Sequence, residues 1–243
     1  MTQLNVNTIE PAGATLNIGA SGDTIKVNDS VNVNTVKDAG GNTLWVSDGS
    51  GNLSSVSGFG DALVLLDSDT ASDDASISFT SGIDSTYKEY IFKFINIHPV
   101  TDAVNFTFQC SIDGGSNYNV ETTTTTFRAY QFENNAVQNI NYVTGTDQAQ
   151  GTAYQVIGPA IGNPAKSSGS GELHLFNPAS TTYIKNFYQI GNVYRLDSGV
   201  AYPETNEWFT AGYFNDTNHI NAISFKMSSG NIDAGTIKMY GVK

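Results

Sequence analysis

YKEYIFKFINIHPVTDAVNFTFQCSIDGGSNY, residues Tyr87 to Tyr118, is the stretch that decides the fold class. Its second half alternates: Phe106, Phe108, Cys110 and Ile112 point one way, and Asn105, Thr107, Gln109 and Ser111 the other. A period of two with one apolar side is the pattern of a strand with one face in a core and one toward water. The first half is apolar on both sides, with Tyr90, Phe92 and Phe94 on one and Ile91, Ile95 and Ile97 on the other, interrupted by Lys93. Such a strand is expected at the centre of a sheet, or between its own sheet and a neighbouring subunit. A loop at His98-Pro99-Val100-Thr101-Asp102 joins the two, and Asp113-Gly114-Gly115 closes the second. The pair is expected to form the centre of an all-β domain.

Composition points the same way. Charged residues are 14% of the 243, below the usual quarter, and Asn, Thr, Ser and 24 Gly take their place among β-branched and aromatic residues. The formal charge is −12. A field of that sign repels phosphate backbones and anionic lipid, so neither nucleic-acid binding nor membrane insertion is expected. No apolar run is long enough to span a bilayer, and Met1 to Asn5 lacks the charged and apolar regions of a secretory signal. The single cysteine, Cys110, excludes an intrachain disulfide, and its alternation places it in the core.

Upstream of residue 58 the apolar residues come in short groups, Leu16/Ile18, Ile25/Val27, Val31/Val33/Val36 and Leu44/Val46, separated by turns such as Asp38-Ala39-Gly40-Gly41-Asn42. Short strands with turns every 8 to 12 residues mark a β-repeat array. These stripes are too sparse to close a core in one chain, and copies winding together would bury them. The expected organisation is an anchor strand over 1–12 ended by Pro11, an intertwined shaft over 13–58, and a β-sandwich over 59–243 of roughly eight to ten strands with jelly-roll topology. Thr122 to Thr126 suits an exposed strand, and Ile220 to Met227 is expected to pair with Thr236 to Val242.

Catalytic signatures are weak. His98, His174 and His219 are the only histidines; none sits in a pattern with a nucleophile and an orienting acid, and a structural or solvent role is expected for each. Calcium is the one metal worth weighing, at Asp67-Ser68-Asp69 with Asp73-Asp74 and at Asp48 to Asn52, but neither matches a twelve-residue calcium loop and both read as solvated turns. A glycosidase needs two carboxylates across a sugar cleft, and Glu204, Glu207 and Asp197 near Trp208 are the local candidates. The expectation is no enzyme, no metal and no cofactor. Binding is better supported. Tyr130, Tyr142, Tyr154, Tyr202, Trp208 and Tyr213 lie in or beside Asn/Thr/Gly segments, where flat aromatic faces with amide and hydroxyl neighbours suit a glycan or a protein interface.

Three pieces of the chain carry a resemblance. They are the opening Met1-Thr2-Gln3-Leu4-Asn5-Val6-Asn7-Thr8-Ile9, the block Ile91 to Tyr118 with Ile95-Asn96-Ile97-His98-Pro99 and Ser111-Ile112-Asp113-Gly114-Gly115, and the ending Ser229 to Val242. Together they resemble tail-fibre and related virion structural proteins of tailed bacteriophages, of the marine type. The resemblance implies a homotrimeric fibre or spike. Its N-terminus, with Leu4, Val6 and Ile9 as docking candidates, would join other tail or capsid proteins, a slender shaft would follow, and a C-terminal sandwich would contact a host surface glycan or protein. This chain has room only for a short shaft. A protein made in the host cytoplasm and exposed on the assembled particle also accounts for an adhesin-like composition without a secretory signal. A structural virion component and a polysaccharide depolymerase are the alternatives.

Overall fold

The computed structural model describes residues 35–37, 40–47, 49–50, 53–56 and 62–243. The chain divides into two compact units, Met1–Gly60 and Asp61–Lys243. The expected anchor over 1–12, including Leu4, Val6 and Ile9, and the shaft from 13 to 34 lie outside the described residues. In the first unit β1 (Thr35–Lys37), β2 (Thr43–Ser47) and β3 (Leu53–Val56) form a three-stranded antiparallel sheet in that order. Gly41 supplies the positive φ, +82°, between the first two strands.

The second unit is strand and turn apart from one 3-10 turn at Thr144–Thr146. Its strands are β4 (Leu63–Asp74), β5 (Ile77–Phe79), β6 (Glu89–Pro99), β7 (Val104–Ser111), β8 (Thr122–Phe132), β9 (Gln138–Tyr142), β10 (Gln155–Ile161), β11 (Ser168–Phe176), β12 (Lys185–Arg195), β13 (Glu204–Phe214), β14 (Ala222–Met227) and β15 (Ile232–Val242). A four-stranded sheet has the order β10-β7-β14-β5, and an eight-stranded sheet the order β4-β15-β6-β11-β12-β13-β8-β9. Four antiparallel pairs nest along the chain: β5 with β14, β6 with β11, β7 with β10, and β8 with β9. The hairpin β12–β13 is inserted between β11 and β8, and β4 and β15 pair with each other beside β6.

The core lies between the sheets and is organised around one ring. Phe225 on β14 has its centroid 5.7 Å from Phe92, 5.9 Å from Phe106, 6.2 Å from Phe108, 6.4 Å from Phe94 and 6.5 Å from Phe79. Both sheets contribute, so this cluster holds the layers together; burying each such side chain contributes about 1.5–3 kcal/mol. On the inner face of β11, Gly171 leaves room for it: a Cβ there would lie 2.7 Å from the Phe94 ring. Sheet edges are guarded. Pro159 sits in the edge strand β10, and β4 carries the exposed Asp67, Asp69, Asp73 and Asp74 along its edge.

Several expectations are corrected. The strands β6 and β7 do not pair; residues 100–103 carry the chain from the long sheet to the short one, and the two strands face each other across the core. The same holds for β14 and β15. Alternation specifies which side of a strand is apolar, and an arch between sheets satisfies it as well as a hairpin does. A bulge at Asn96, whose φ is +54°, breaks the parity of β6, so Ile97 is fully buried whereas Ile95 is 42% exposed. The polar side of β7 is not toward water either. Gln109 is buried, and its Nε2 lies 3.2, 3.2 and 3.0 Å from the carbonyl oxygens of Val120, Thr152 and Ala153, which cover it. In β8, Thr122, Thr124 and Thr126 face inward and are buried, and Thr125 is exposed.

Candidate binding face on the long sheet

The side of the long sheet that turns away from the short sheet carries the chemistry. Antiparallel register aligns its outward residues in rows across β9, β8, β13 and β12. One row is Tyr142, Phe127, Phe209 and Ile190; the row on one side is Ile140, Ala129, Glu207 and Asn192; on the other side lie Thr125, Ala211 and Tyr188. The aromatic row stands up as a ridge because Phe127 and Phe209 stack, with centroids 4.9 Å apart and planes 24° apart. Small residues on either side leave hollows. Ala129 floors one of about 690 Å³, rimmed by Gln131, Gln138, Asn139, Asn192, Thr205 and Glu207 with Ile140 and Ile190. Ala211 floors the other, of about 700 Å³, walled by Phe176, Tyr188, Phe209 and Tyr213 with Asn186, Thr123 and Thr125. Ile140 is 68% exposed and Phe127 43%, so this apolar surface faces water in the chain.

The aromatic surface continues onto β11. The ring of His174 stacks on Tyr188 at 4.4 Å and 13°, and Tyr188 stacks on Phe209 at 6.2 Å. His174 is clamped at both nitrogens: Nδ1 lies 2.6 Å from Glu89 Oε1 and Nε2 lies 3.1 Å from Glu172 Oε1. Lys93 Nζ is 3.6 Å from Glu172 Oε2, which closes the charge cluster. Burial, then the fields of Glu89 and Glu172, push the Tyr188 hydroxyl above its ordinary pKa.

Of the residues singled out in the sequence, Tyr142 and Tyr213 lie on this face, at opposite ends of it. Tyr142 donates its hydroxyl hydrogen bond to Asp147. Tyr130 points to the inner side under the Arg128 guanidinium, 4.5 Å from its ring centroid. Tyr154 lies beside Tyr118 and under Lys226 Nζ, which is 4.0 Å from its ring, on the outer side of the short sheet. Tyr202 is half-exposed in the turn before β13. Trp208 is 2% exposed and faces inward, so it cannot meet a surface ligand. Phe127, Tyr188, Ile190 and Phe209 were not singled out. Their signal was present in Phe187-Tyr188 and Trp208-Phe209, because neighbouring aromatics in a strand must face opposite sides.

That period of two also separates the carboxylates considered for glycoside cleavage. Glu207 is outward, at the rim of the first hollow, whereas Glu204 is inward and buried. Arg195 Nη1 lies 3.2 Å from Glu204 Oε1, and Arg195 Nε lies 2.5 Å from the buried Asp197 Oδ2. Asn206 Nδ2 donates to the same Glu204 oxygen at 3.2 Å. Glu204 and Asp197 thus serve one guanidinium and do not face Glu207 across a cleft. His98 contacts Asp233 and the Pro164 carbonyl, and His219 the Ile83 carbonyl. Among the described residues no three His, Cys, Asp or Glu side chains are placed to hold a metal ion. Comparison with protein-family models, with curated proteins and with solved structures finds no match to this chain.

Proposed function

We propose that the chain is a non-enzymatic appendage protein of a phage virion, of tail-fibre or spike type, that attaches the particle to the host cell surface. The observation that carries the reading is the outer face of the long sheet, where an aromatic ridge and two amide-rimmed hollows are open to solvent. Its sandwich is read as a jelly roll. What supports this is the nesting of the pairs β5:β14, β6:β11, β7:β10 and β8:β9, the pairing scheme of a rolled double Greek key. On this reading β12–β13 and β4/β15 are additions to that frame, and the β12–β13 insertion widens the outer face. The protein acts as a homotrimer joined to other virion proteins through its N-terminal segment. Several weak sites on one particle then turn low affinity into avidity.

The test is competition. Full-length protein added to host cells should block adsorption of particles that carry it, and Phe127→Ala with Phe209→Ala should remove the block while leaving the fold intact by circular dichroism. Unchanged adsorption at saturating wild-type protein would refute attachment. A second reading, a structural virion component, is favoured by the 68% exposure of Ile140 at the edge of the same face, a position suited to contact with another subunit. It predicts binding to particles that lack the protein and none to cells.

A further inference from the structure

We propose that the outer face of the long sheet binds an extended, uncharged glycan strand that crosses the Phe127–Phe209 ridge and seats sugar units in both hollows. This rests on the attachment reading for its biological purpose, and on the geometry for its chemistry. Ala129 pairs with Glu207, and Ala211 lies four residues farther along β13 on the same side. At the rise of an extended strand the two floors are about 13 Å apart, which calls for a linear ligand longer than a single sugar. The stacked pair stands between them at 4.9 Å. Apolar ring faces contact the C–H side of a pyranose, and the rims supply Gln131, Gln138 and Asn192 in one hollow and Asn186 and Thr125 in the other for its hydroxyls.

Charge selects among glycans. No cation lines either hollow, Glu207 is the one charged side chain among their lining residues, and the whole chain carries −12. Lys93, on the same face, is engaged with Glu172. A carboxylate or phosphate on the ligand would be desolvated without a partner and repelled by Glu207. Peptides are disfavoured for another reason. In the middle of a sheet the backbone groups are already paired, so an extended peptide laid on this face gains no main-chain hydrogen bonds.

The experiment presents full-length protein with uncharged oligosaccharides of two to eight units, plain and N-acetylated, and with acidic ones of the same lengths. The expected result is binding to uncharged chains only, with affinity that rises with length until both hollows are spanned. Ala129→Trp and Ala211→Trp fill one floor each, and each should weaken the longest ligand about tenfold while leaving the shortest ligand's binding to the other hollow. Both alanines are on the surface, so folding is checked independently by thermal melting. Preference for acidic chains, absence of binding to any uncharged chain, or indifference to both tryptophans would overturn the proposal. So would tryptophan variants that change the sedimenting mass instead of glycan affinity, since the face would then be a contact between copies. Adsorption competition that survives without glycan binding overturns this inference and spares the attachment reading. Glycan binding without adsorption competition supports the inference and refutes that reading.

Discussion

The ring of Phe127 on β8 lies over the ring of Phe209 on β13 at 4.9 Å, directly across a register pair of the long sheet. The two strands bring together residues 82 positions apart in the chain on a surface open to water. Cross-strand aromatic pairs of this kind contribute about 0.5–1.5 kcal/mol beyond burial. A double-mutant cycle with Phe127→Ala and Phe209→Ala, read by urea unfolding, should return a coupling in that range. Strict additivity would mean that the stack does not exist in solution.

Phe225 offers the contrast. It is fully buried and touches five other phenylalanine rings from three strands. Phe225→Ala should destabilise the protein by about 3–5 kcal/mol. The single Phe127→Ala, at a half-exposed site, should lose far less. Equal losses in denaturant midpoint would contradict this core.

The turn after β7 makes a pH prediction. Asp113 accepts from Ser111 Oγ at 2.7 Å, Asn117 N at 2.9 Å and Asn117 Nδ2 at 2.7 Å. These bonds lower its pKa from 3.8 to about 2, the Ser111 hydroxyl contributing most. Because the folded pKa is depressed, the stabilisation is complete above the unfolded value and disappears as pH falls through the folded one. The melting-temperature gap between wild type and Asp113→Ala should therefore be constant above about pH 5 and shrink between about pH 4 and pH 2. A gap that does not narrow in acid would exclude the ionised carboxylate as its source.

Arg195 sits between the buried carboxylates Asp197 and Glu204. Arg195→Met leaves two negative groups without their partner and should destabilise by about 3–5 kcal/mol. Glu207→Gln, on the opposite face of the same strand as Glu204, should leave the melting temperature within about 1 °C of wild type, a surface change of a few tenths of a kcal/mol at most. If both substitutions shift the melting curve alike, the assignment of the two glutamates to opposite faces is wrong.

Gln189 is fully buried in β12, and neither of its amide atoms has a hydrogen-bond partner among the described residues. Trp208 Nε1 and Asn206 Oδ1, both on the inner side of the neighbouring strand β13, are in the same condition. A buried amide left unpaired costs about 1–3 kcal/mol. Gln189→Met keeps the volume and removes that cost, so calorimetry should show a melting temperature equal to or above wild type. A marked fall would show that the amide is bonded in solution, through an internal water for example.

Much of the architecture is legible in the sequence. Phe106, Phe108 and Cys110 alternate into the core as their spacing implies, as do Ile223, Phe225 and Met227, and Ile237 and Met239. Asp113-Gly114-Gly115 reads as a turn and is one, with φ of +72° and +90° at the glycines. The polar side of β7 was misread because Gln109 resembles a solvent-facing residue, yet its amide can satisfy loop carbonyls from inside. The candidate site was only half legible. Tyr142 and Tyr213 stood out as aromatics in polar surroundings, whereas Phe127 and Phe209 look like core residues in one dimension.

Local chemistry settled the all-β character, the turns and the apolar side of each strand, because a side chain's alternation and a glycine's φ depend on near neighbours alone. Partnership between strands was decided only in three dimensions. Whether β6 turns back on β7 as a hairpin or arches over to the other sheet depends on long-range pairing, which the sequence period leaves open. The ridge at Phe127 and Phe209 is a consequence of that pairing: it exists because β13 was inserted beside β8, at a register that laid one ring upon the other.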